Sequence, residues 1–150
     1  MTLSGWAQPM GDAGRHVVFR VEEALYALPL AAVREVVVTP EVFSRVPRAP
    51  AAVTGVMNLR GRVVTVVDLR PVLGETEAKG RAGKLLLLDR GRRDLALGVS
   101  EVEGIELLEA LSSEEATGLV RGVARLGAGK VQLLDVERLE ARVAGLFRGR

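Results

Sequence analysis

The fold of this chain is decided by residues 55 to 70, which read Gly55-Val56-Met57-Asn58-Leu59-Arg60-Gly61-Arg62-Val63-Val64-Thr65-Val66-Val67-Asp68-Leu69-Arg70. Residues 56–59 and 63–67 are apolar and rich in β-branched side chains, which is typical of two short strands. Gly61 between them can adopt the positive φ of a tight turn, so the stretch predicts a β-hairpin. The hairpin does not explain Asn58, Arg60 and Arg62. These three side chains are therefore candidates for contacts with a partner.

Composition and charge narrow the class of protein. A chain of 150 residues with 48% hydrophobic side chains can bury a core, as one domain or as two small lobes packed together. The 21 basic and 19 acidic residues are interspersed, which is a poor pattern for nucleic-acid binding, although the pI of about 9.5 leaves that function open. Because the chain has no cysteine, a disulfide framework, a thiol nucleophile and a Cys-ligated metal are excluded.

The N-terminal residues carry no targeting pattern. Residues 1–14 contain three glycines and a proline without periodicity, so we expect a flexible arm. No basic region precedes an apolar core there, and no apolar run approaches the roughly 18 residues of a membrane span. The sequence therefore predicts a soluble, cytoplasmic protein.

Short apolar runs separated by Gly-rich or Pro-rich turns continue along the chain, a pattern that favours small barrels or a sandwich. The strands expected outside the hairpin are 16–21, 25–30, 36–38, 85–88, 94–99, 102–108, 119–126 and 131–134. Residues 31–36 and 69–73 are expected to form short helical turns. Residues 136–146 are expected to form an amphipathic helix capped by Asp135. The polar segment 75–83 is the expected linker between two halves.

The two halves repeat one another. Spacings of 67 and 69 positions align apolar residues and glycines of the first half with similar residues of the second. The aligned pairs are Val53 and Val120, Gly55 and Gly122, Val56 and Val123, Leu59 and Leu126, Val64 and Val131, Val66 and Leu133, Val67 and Leu134, Ala27 and Ala96, Leu28 and Leu97, Val33 and Val102, and Val36 and Ile105. We therefore expect two copies of one β unit, over about 15–74 and about 84–150.

The repeat provides an internal control for function, because a charged residue present in only one copy is not demanded by the fold. Polar residues of the first copy face different residues in the second: Glu35 faces Gly104, Asn58 faces Arg125, Arg60 faces Gly127 and Arg62 faces Gly129. The first copy is therefore where we expect specific recognition. Asp68 recurs as Asp135 and is expected to be a structural cap.

These same residues resemble the CheW-like domain of bacterial chemotaxis coupling proteins. The resemblance rests on Tyr26-Ala27-Leu28-Pro29-Leu30, on Val33-Arg34-Glu35-Val36, and above all on Asn58-Leu59-Arg60-Gly61 followed by Val67-Asp68-Leu69-Arg70. It continues through residues 95–102 and 121–139. The chain departs from the family pattern at Ala51, Thr65 and Ser100, which leaves the fold expectation intact and leaves open which receptor and kinase are cognate.

The resemblance implies an all-β fold of two five-stranded SH3-like barrels that share a hydrophobic interface. It also implies a stand-alone, non-catalytic adaptor without a cofactor. Such a protein joins the cytoplasmic tips of methyl-accepting chemotaxis receptors to the regulatory domain of the histidine kinase CheA, itself CheW-like. In the family, the positions of Glu35 and Arg60 form a functionally important charged pair, and a receptor groove lies between the barrels. Val33 and Leu59 are candidates for lining that groove, whereas Arg62 is either a rim contact or a solubilising charge.

Other functions find little support in the residues. The single histidine, His16, has no Ser and Asp at a known catalytic spacing, so we expect it to be solvated. Gly127-Ala128-Gly129-Lys130 resembles a phosphate loop only faintly, because Val131 replaces the required Ser or Thr. No His or carboxylate cluster has metal-ligand spacing. The alternative function is nucleic-acid binding by a small basic barrel through Arg90, Arg92 and Arg93, although the aromatics Phe19, Tyr26 and Phe43 are scattered along the chain.

Overall fold

The computed structural model describes residues 14–74, 80–89, 94–111 and 118–148. The strands in these ranges are β1 (Gly14–Val21), β2 (Ala24–Pro29), β3 (Val33–Val38), β4 (Val53–Leu59), β5 (Arg62–Asp68), β6 (Lys84–Leu88), β7 (Leu95–Val99), β8 (Glu101–Leu108), β9 (Val120–Leu126) and β10 (Gly129–Leu134). A 3-10 turn (Leu30–Ala32) precedes β3, a short helix α1 (Leu69–Val72) follows β5, and helix α2 spans Val136–Arg148. The predicted all-β class with helical turns and a C-terminal helix is confirmed. Of the arm expected over residues 1–14, residues 1–13 lie outside the described residues. Of the linker expected over 75–83, residues 75–79 lie outside them.

The strands form two five-stranded sheets. Sheet A has the order β8-β1-β2-β10-β9, and sheet B has the order β3-β6-β7-β5-β4. Pairing is antiparallel throughout, except that β10 runs parallel to β2 and β5 runs parallel to β7. Each sheet therefore joins a hairpin from one half of the chain to three strands from the other half.

This strand order corrects the expected division of the chain. Units over 15–74 and 84–150 would each hold their own five strands, yet β1 and β2 of the first half lie in sheet A, and β6 and β7 of the second half lie in sheet B. The physical reason is that the two copies share one apolar frame, so a hairpin fits the opposite copy as well as its own. The duplication itself is visible in the structure, because replacing each strand of one sheet by its repeat equivalent gives the other sheet in the same order.

One helical expectation is also corrected. Only Leu30–Ala32 is helical, and the rest of the expected turn over 31–36 belongs to β3. From Val33 onward the backbone pairs with β6, placing Glu35 opposite Leu87 and Val36 opposite Leu86. The run of β-branched residues and the available partner strand override the helical pattern.

Hydrogen bonds beyond the edge strands bring the two ends of each sheet together. Ser44, which follows β3, exchanges two backbone hydrogen bonds with Val56 of β4, at 2.9 and 2.8 Å. Leu111, which follows β8, donates its N–H to the carbonyl of Val123 in β9 at 2.8 Å. Among the described residues no ladder closes either sheet into a full barrel. The packing is nevertheless consistent with the expected pair of SH3-like units.

The described residues form three hydrophobic clusters. The largest lies between the sheets and also receives Leu139 and Val143 of α2. Two smaller clusters lie on the other faces of sheets A and B. Strand alternation explains the run from Leu85 to Leu88, because residues 86 and 88 point into the shared cluster and residues 85 and 87 into the cluster of sheet B. No helix in the described part of the chain is long and apolar enough to cross a membrane.

Candidate functional site

The hairpin that the sequence predicts is formed by β4, β5 and a two-residue turn. Leu59 pairs with Arg62, which leaves Arg60 and Gly61 as the turn residues. Both have positive φ, of 52° and 86°, as in a type I′ turn. Asn58 Oδ1 accepts a hydrogen bond from the Gly61 N–H at 2.9 Å. Asn58 therefore holds the turn in shape, in addition to lying beside the candidate contact residues.

Glu35 of β3 meets Arg60 at this turn. Arg60 Nη2 donates to Glu35 Oε1 at 2.5 Å. The Arg60 side chain is 66% exposed and the Glu35 side chain 32%. Because ion pairs this exposed contribute only about 0–1 kcal/mol to stability, the fold does not depend on this pair. Both charges therefore lie where a partner can reach them.

Arg62 is held by a carboxylate that sequence reasoning missed. Its Nε and Nη2 atoms donate to Asp94 Oδ2 and Oδ1 at 2.9 and 3.2 Å, and Arg34 Nη1 lies 3.9 Å from the same carboxylate. Asp94 is only 13% exposed. It stands there because β7 runs beside β5, where the Thr65 N–H donates to the Asp94 carbonyl at 3.1 Å. That parallel pairing joins the two halves of the chain, and no local sequence pattern predicts it.

A surface pocket of about 260 Å³ unites these groups. It is lined by Arg34, Leu59, Arg60, Arg62, Val64 and Asp94. Three guanidinium groups thus surround an apolar floor, with carboxylates from Glu35 and Asp94 at its edge. This arrangement can receive an apolar side chain of a partner and pair with its carboxylates or carbonyls.

The structure brings five of the six predicted contact residues together. Leu59, Arg60 and Arg62 line the pocket, Glu35 joins through its ion pair, and Asn58 joins through the turn. Val33 stands apart, because it packs against the cluster between the sheets and does not line this pocket. Leu59 instead packs against the cluster of sheet B.

A pair of exposed apolar stripes was also missed by sequence reasoning. Exposed large apolar residues follow the edge strands of both sheets at repeat-equivalent positions: Val36, Val38 and Val42 beside β3, and Ile105, Leu107 and Leu111 beside β8. The repeat spacing of 69 relates each member of the first stripe to one of the second. We call these the β3 stripe and the β8 stripe. Their signal in the sequence was ambiguous, because apolar strand residues are usually core.

The two aspartates shared by the repeat have a structural role, as predicted. Asp68 accepts the Arg70 N–H at 2.9 Å at the start of α1, and Asp135 accepts the Arg138 N–H at 3.0 Å at the start of α2. Their own N–H groups donate to the carbonyls of Ala52 and Leu119, each at 2.8 Å. The equivalent bonds show that the repeat extends to individual hydrogen bonds.

Arg70 is a buried cation that belongs to the framework. Its side chain is nearly covered and binds Asp68 at 2.7 Å, the Gly80 carbonyl at 3.0 Å and Glu22 at 3.4 Å. The hydrogen bonding that Arg70 donates to the Asp68 carboxylate is the main cause that raises the pKa of Arg70 above its ordinary value. These contacts tie the end of β5 to the β1–β2 turn, so Arg70 is not a free binding group.

The expectation that His16 is solvated is wrong. His16 is buried, its Nδ1 lies 2.8 Å from the Gly14 carbonyl, and its Nε2 lies 3.4 Å from Arg121 Nη2. Burial lowers its pKa below the ordinary 6.5, the Gly14 hydrogen bond opposes this, and the Arg121 charge lowers it further. Arg121 belongs to β9, and the strand paired with His16 on one side is β8; both are distant in sequence and so left no sign near residue 16.

Groups with other chemistry are sparse in the described structure. Within the described ranges, no three His, Cys, Asp or Glu side chains are placed to hold a metal ion. Phe19 and Tyr26 are buried and stack on each other at 6.2 Å between ring centroids, while Arg81 lies over the Phe43 ring at 5.7 Å. These rings offer no open platform for bases. Arg90, Arg92 and Arg93 lie outside the described residues.

Known proteins share the sequence pattern and the fold. A family model described as CheW-like domain matches residues 15–143. The chemotaxis protein CheW of Treponema pallidum is 26% identical, covering 82% of this chain and 79% of that protein. A probable chemotaxis protein CheW of Rhizobium etli is 28% identical, covering 82% and 84%. In fold, the chain is similar to the scaffolding protein TtCheW of Thermoanaerobacter tengcongensis, with a TM-score of 0.69 over 82% of this chain and 89% of that one, at 24% identity.

Proposed function

This chain belongs to the CheW-like domain family, and from that premise we propose that it is a non-catalytic chemotaxis adaptor that joins methyl-accepting receptor tips to the histidine kinase CheA. The proposal places the protein in the cytoplasm, recruited to receptor arrays at the membrane. The observation that carries it is the cluster of Glu35, Arg60, Arg62 and Asp94 at one hairpin of a duplicated fold. The second copy has glycine at the positions equivalent to Glu35, Arg60 and Arg62, which supports a role for these charges in binding rather than in folding.

The backbone of Arg60 supports a binding role for this cluster. Arg60 adopts φ 52°, where a non-glycine residue is strained, while the equivalent Gly127 adopts φ 60° without that strain. The exposed ion pair with Glu35 recovers only a small part of the strain energy. Arg60 thus weakens the fold slightly while it presents a charge at the turn. This combination favours a role for Arg60 in binding a partner.

We assign the partners to two kinds of surface. The charged pocket, with Glu35, Asn58, Leu59, Arg60 and Arg62, is the proposed contact for the receptor tip, and Val33 lies on the side that faces the second sheet. The β3 and β8 stripes are the proposed contacts for the CheW-like regulatory domain of CheA. A domain with the same duplicated fold would carry edge strands of its own, so that two such domains can pack edge against edge.

The proposed mechanism is coupling by fixed geometry. Receptor state biases kinase state only if the complex binds the two kinase states with different affinity. Each contact can be weak, because an array of receptors and kinases raises the effective concentration of every partner. The adaptor therefore needs two separable surfaces and a rigid body between them, which the cluster between the sheets provides.

The experiment that tests this function is bridging by a single molecule. We expect a receptor-tip fragment and the CheA regulatory domain to bind simultaneously, giving a complex with one copy of each in sedimentation velocity. Competition between the two fragments, or binding of neither, would exclude the adaptor function. Single-stranded DNA serves as the comparison ligand, and salt-dependent binding of that DNA with no binding of the fragments would favour the nucleic-acid alternative.

A further inference from the structure

Residues 42 to 67 carry an unbalanced set of charges. They contain four arginines, at positions 45, 48, 60 and 62, and no acidic residue. Glu35 and Asp94 come from elsewhere in the chain and pair with Arg60 and Arg62. In the described part of the structure, no carboxylate lies within ion-pair distance of Arg45 or Arg48. Among the described residues, two of the four arginines of this segment therefore have no carboxylate partner.

Arg45 and Arg48 flank a second pocket. Its volume is about 560 Å³, and the residues around it include Arg45, Val46, Pro47, Arg48, Pro50 and Val53. It shares no lining residue with the pocket at Arg60. Six of its nine lining residues are apolar, polar and apolar groups share its surface about equally, and the two arginines supply the charge. The pocket therefore offers both an apolar contact and a strong donor for anions.

The loop around this pocket is fixed by turns and prolines. The Ala49 N–H donates to the Val46 carbonyl at 3.2 Å, which closes a turn with Pro47 at its second position and Arg48 at its third. Arg48 adopts φ 63°, as the third residue of a type II turn must, although Gly or Asn is usual there. A second turn follows, in which the Val53 N–H donates to the Pro50 carbonyl at 3.0 Å.

The base of the loop is anchored in the core. Ala49 packs against the cluster between the sheets, and Val53 is buried in it. The arginine side chains are thus presented from a rigid backbone, which lowers the entropy cost of binding. Arg48 also keeps a strained conformation in a position where glycine would relax it. Strain retained at an exposed cation next to a pocket is a sign of a ligand site.

We propose that this pocket binds an acidic peptide segment of a partner protein, with a carboxylate on Arg45 and Arg48 and a neighbouring apolar side chain against Val46, Pro47 and Pro50. Guanidinium groups match carboxylates with two-point geometry, and the apolar wall favours a peptide over a bare inorganic anion. The site is separate from the pocket at Arg60. The peptide-binding proposal can therefore be tested independently of the proposed receptor contact at Arg60.

The test is an NMR titration of the full-length protein with the probe peptide acetyl-Glu-Leu-Glu-Leu-Glu-amide. Saturable shifts should concentrate in residues 45–54 and in the Arg45 and Arg48 side chains. The double variant Arg45→Gln with Arg48→Gln should weaken binding about tenfold or more, as loss of charge-assisted hydrogen bonds requires. The matched control is Arg125→Gln with Arg142→Gln, which removes two exposed charges elsewhere and should leave the affinity unchanged.

Three further results would each overturn the proposal. The first is chemical-shift changes that spread over the whole surface, or an affinity that falls equally in both double variants. Either result would indicate nonspecific charge attraction. The second is an equal response to the glutamine version of the peptide. The third is an equal response to inorganic phosphate alone, which would make the site an anion site rather than a peptide site.

Discussion

Arg60 combines a strained backbone conformation with an exposed charge. It holds a left-handed backbone conformation that costs a non-glycine residue of order 1–3 kcal/mol, and it places a mostly exposed charge at the tip of a hairpin. The equivalent Gly127 shows that the turn itself can form without the arginine. The internal repeat thus separates what the hairpin needs from what the surface adds.

His16 gives the molecule a predicted dependence on acid. Because its pKa is lowered in the folded state, the unfolded chain takes up the proton first as the pH falls below about 6.5. The free energy of unfolding should therefore fall as the pH is lowered from about 6.5 to the folded pKa. Above about pH 6.5 the imidazole is neutral in both states, so His16 should cause no change of stability with pH. Urea denaturation at a series of pH values measures it.

The control for this prediction is His16→Gln, which removes the titrating group. The difference in unfolding free energy between wild type and variant should change with pH only below about 6.5. A difference that stays constant from pH 7.5 to the acid limit would show that the buried imidazole does not titrate as proposed.

Single residues show what sequence reasoning can select as candidates and what it cannot reach. Glu35, Arg60 and Arg62 could be selected because the second copy has glycines in their places. Asp94 and the burial of His16 could not be predicted, because both depend on strands that meet across the two halves, β5 with β7 and β1 with β8. A local pattern carries no information about such partners.

Strand β4 and the segment that follows β3 come together at a point of very close packing. Gly55 lies where a Cβ atom would approach the Ser44 carbonyl oxygen to 2.5 Å and the Phe43 Cβ to 3.2 Å. The two hydrogen bonds between Ser44 and Val56 depend on this approach. Glycine at this position therefore brings the two ends of the sheet together.

Gly55→Ala should open this contact. Gly104 in β8 provides a matched control, because its φ of 150° is almost the 151° of Gly55 while a Cβ there would meet nothing within 4 Å. Both variants carry similar backbone strain, so their difference isolates the clash. We expect Gly55→Ala to lower the free energy of unfolding by about 2 kcal/mol more than Gly104→Ala, measured by urea denaturation. Equal losses would mean that the loop around Ser44 moves aside at little cost.

The strands themselves were largely predictable, whereas one element boundary was not. Period-two alternation and runs of β-branched residues identify β4, β5 and β10 directly. The start of β3 was misjudged because Ala31 to Val36 also fits a helical pattern. Pairing with β6 decides the conformation there, and that partner lies about fifty positions further along the chain.

The entire chain is two copies of one unit that have exchanged a hairpin. Apolar patterning predicted the duplication, whereas the resemblance to the CheW-like family implied the shared hydrophobic interface and the five strands per unit. It did not predict the exchange, since pairing within a copy and pairing between copies bury equivalent apolar residues. The consequence is that neither half of the sequence contains a complete sheet.

Cutting the chain between residues 77 and 78 tests this interlocked arrangement. Each fragment alone lacks strands for both sheets, so we expect no cooperative unfolding and a poorly dispersed NMR spectrum for either one. Mixing the fragments should restore a one-to-one complex with the circular dichroism of the intact protein. A fragment that folds alone with a dispersed spectrum would contradict the strand order described above.

The most direct test of the adaptor function is binding of the CheA regulatory domain and of a receptor-tip fragment to Glu35→Lys and Arg60→Glu, measured by calorimetry beside the wild type. Because the ion pair is exposed, both variants should unfold within about 1 kcal/mol of the wild type. We predict about tenfold or greater loss of affinity for at least one partner in both variants. We also predict no recovery when Glu35→Arg and Arg60→Glu are combined, since a partner reads the position of each charge. Wild-type affinity for both partners in both single variants would contradict the proposal that this charged pair is a binding surface.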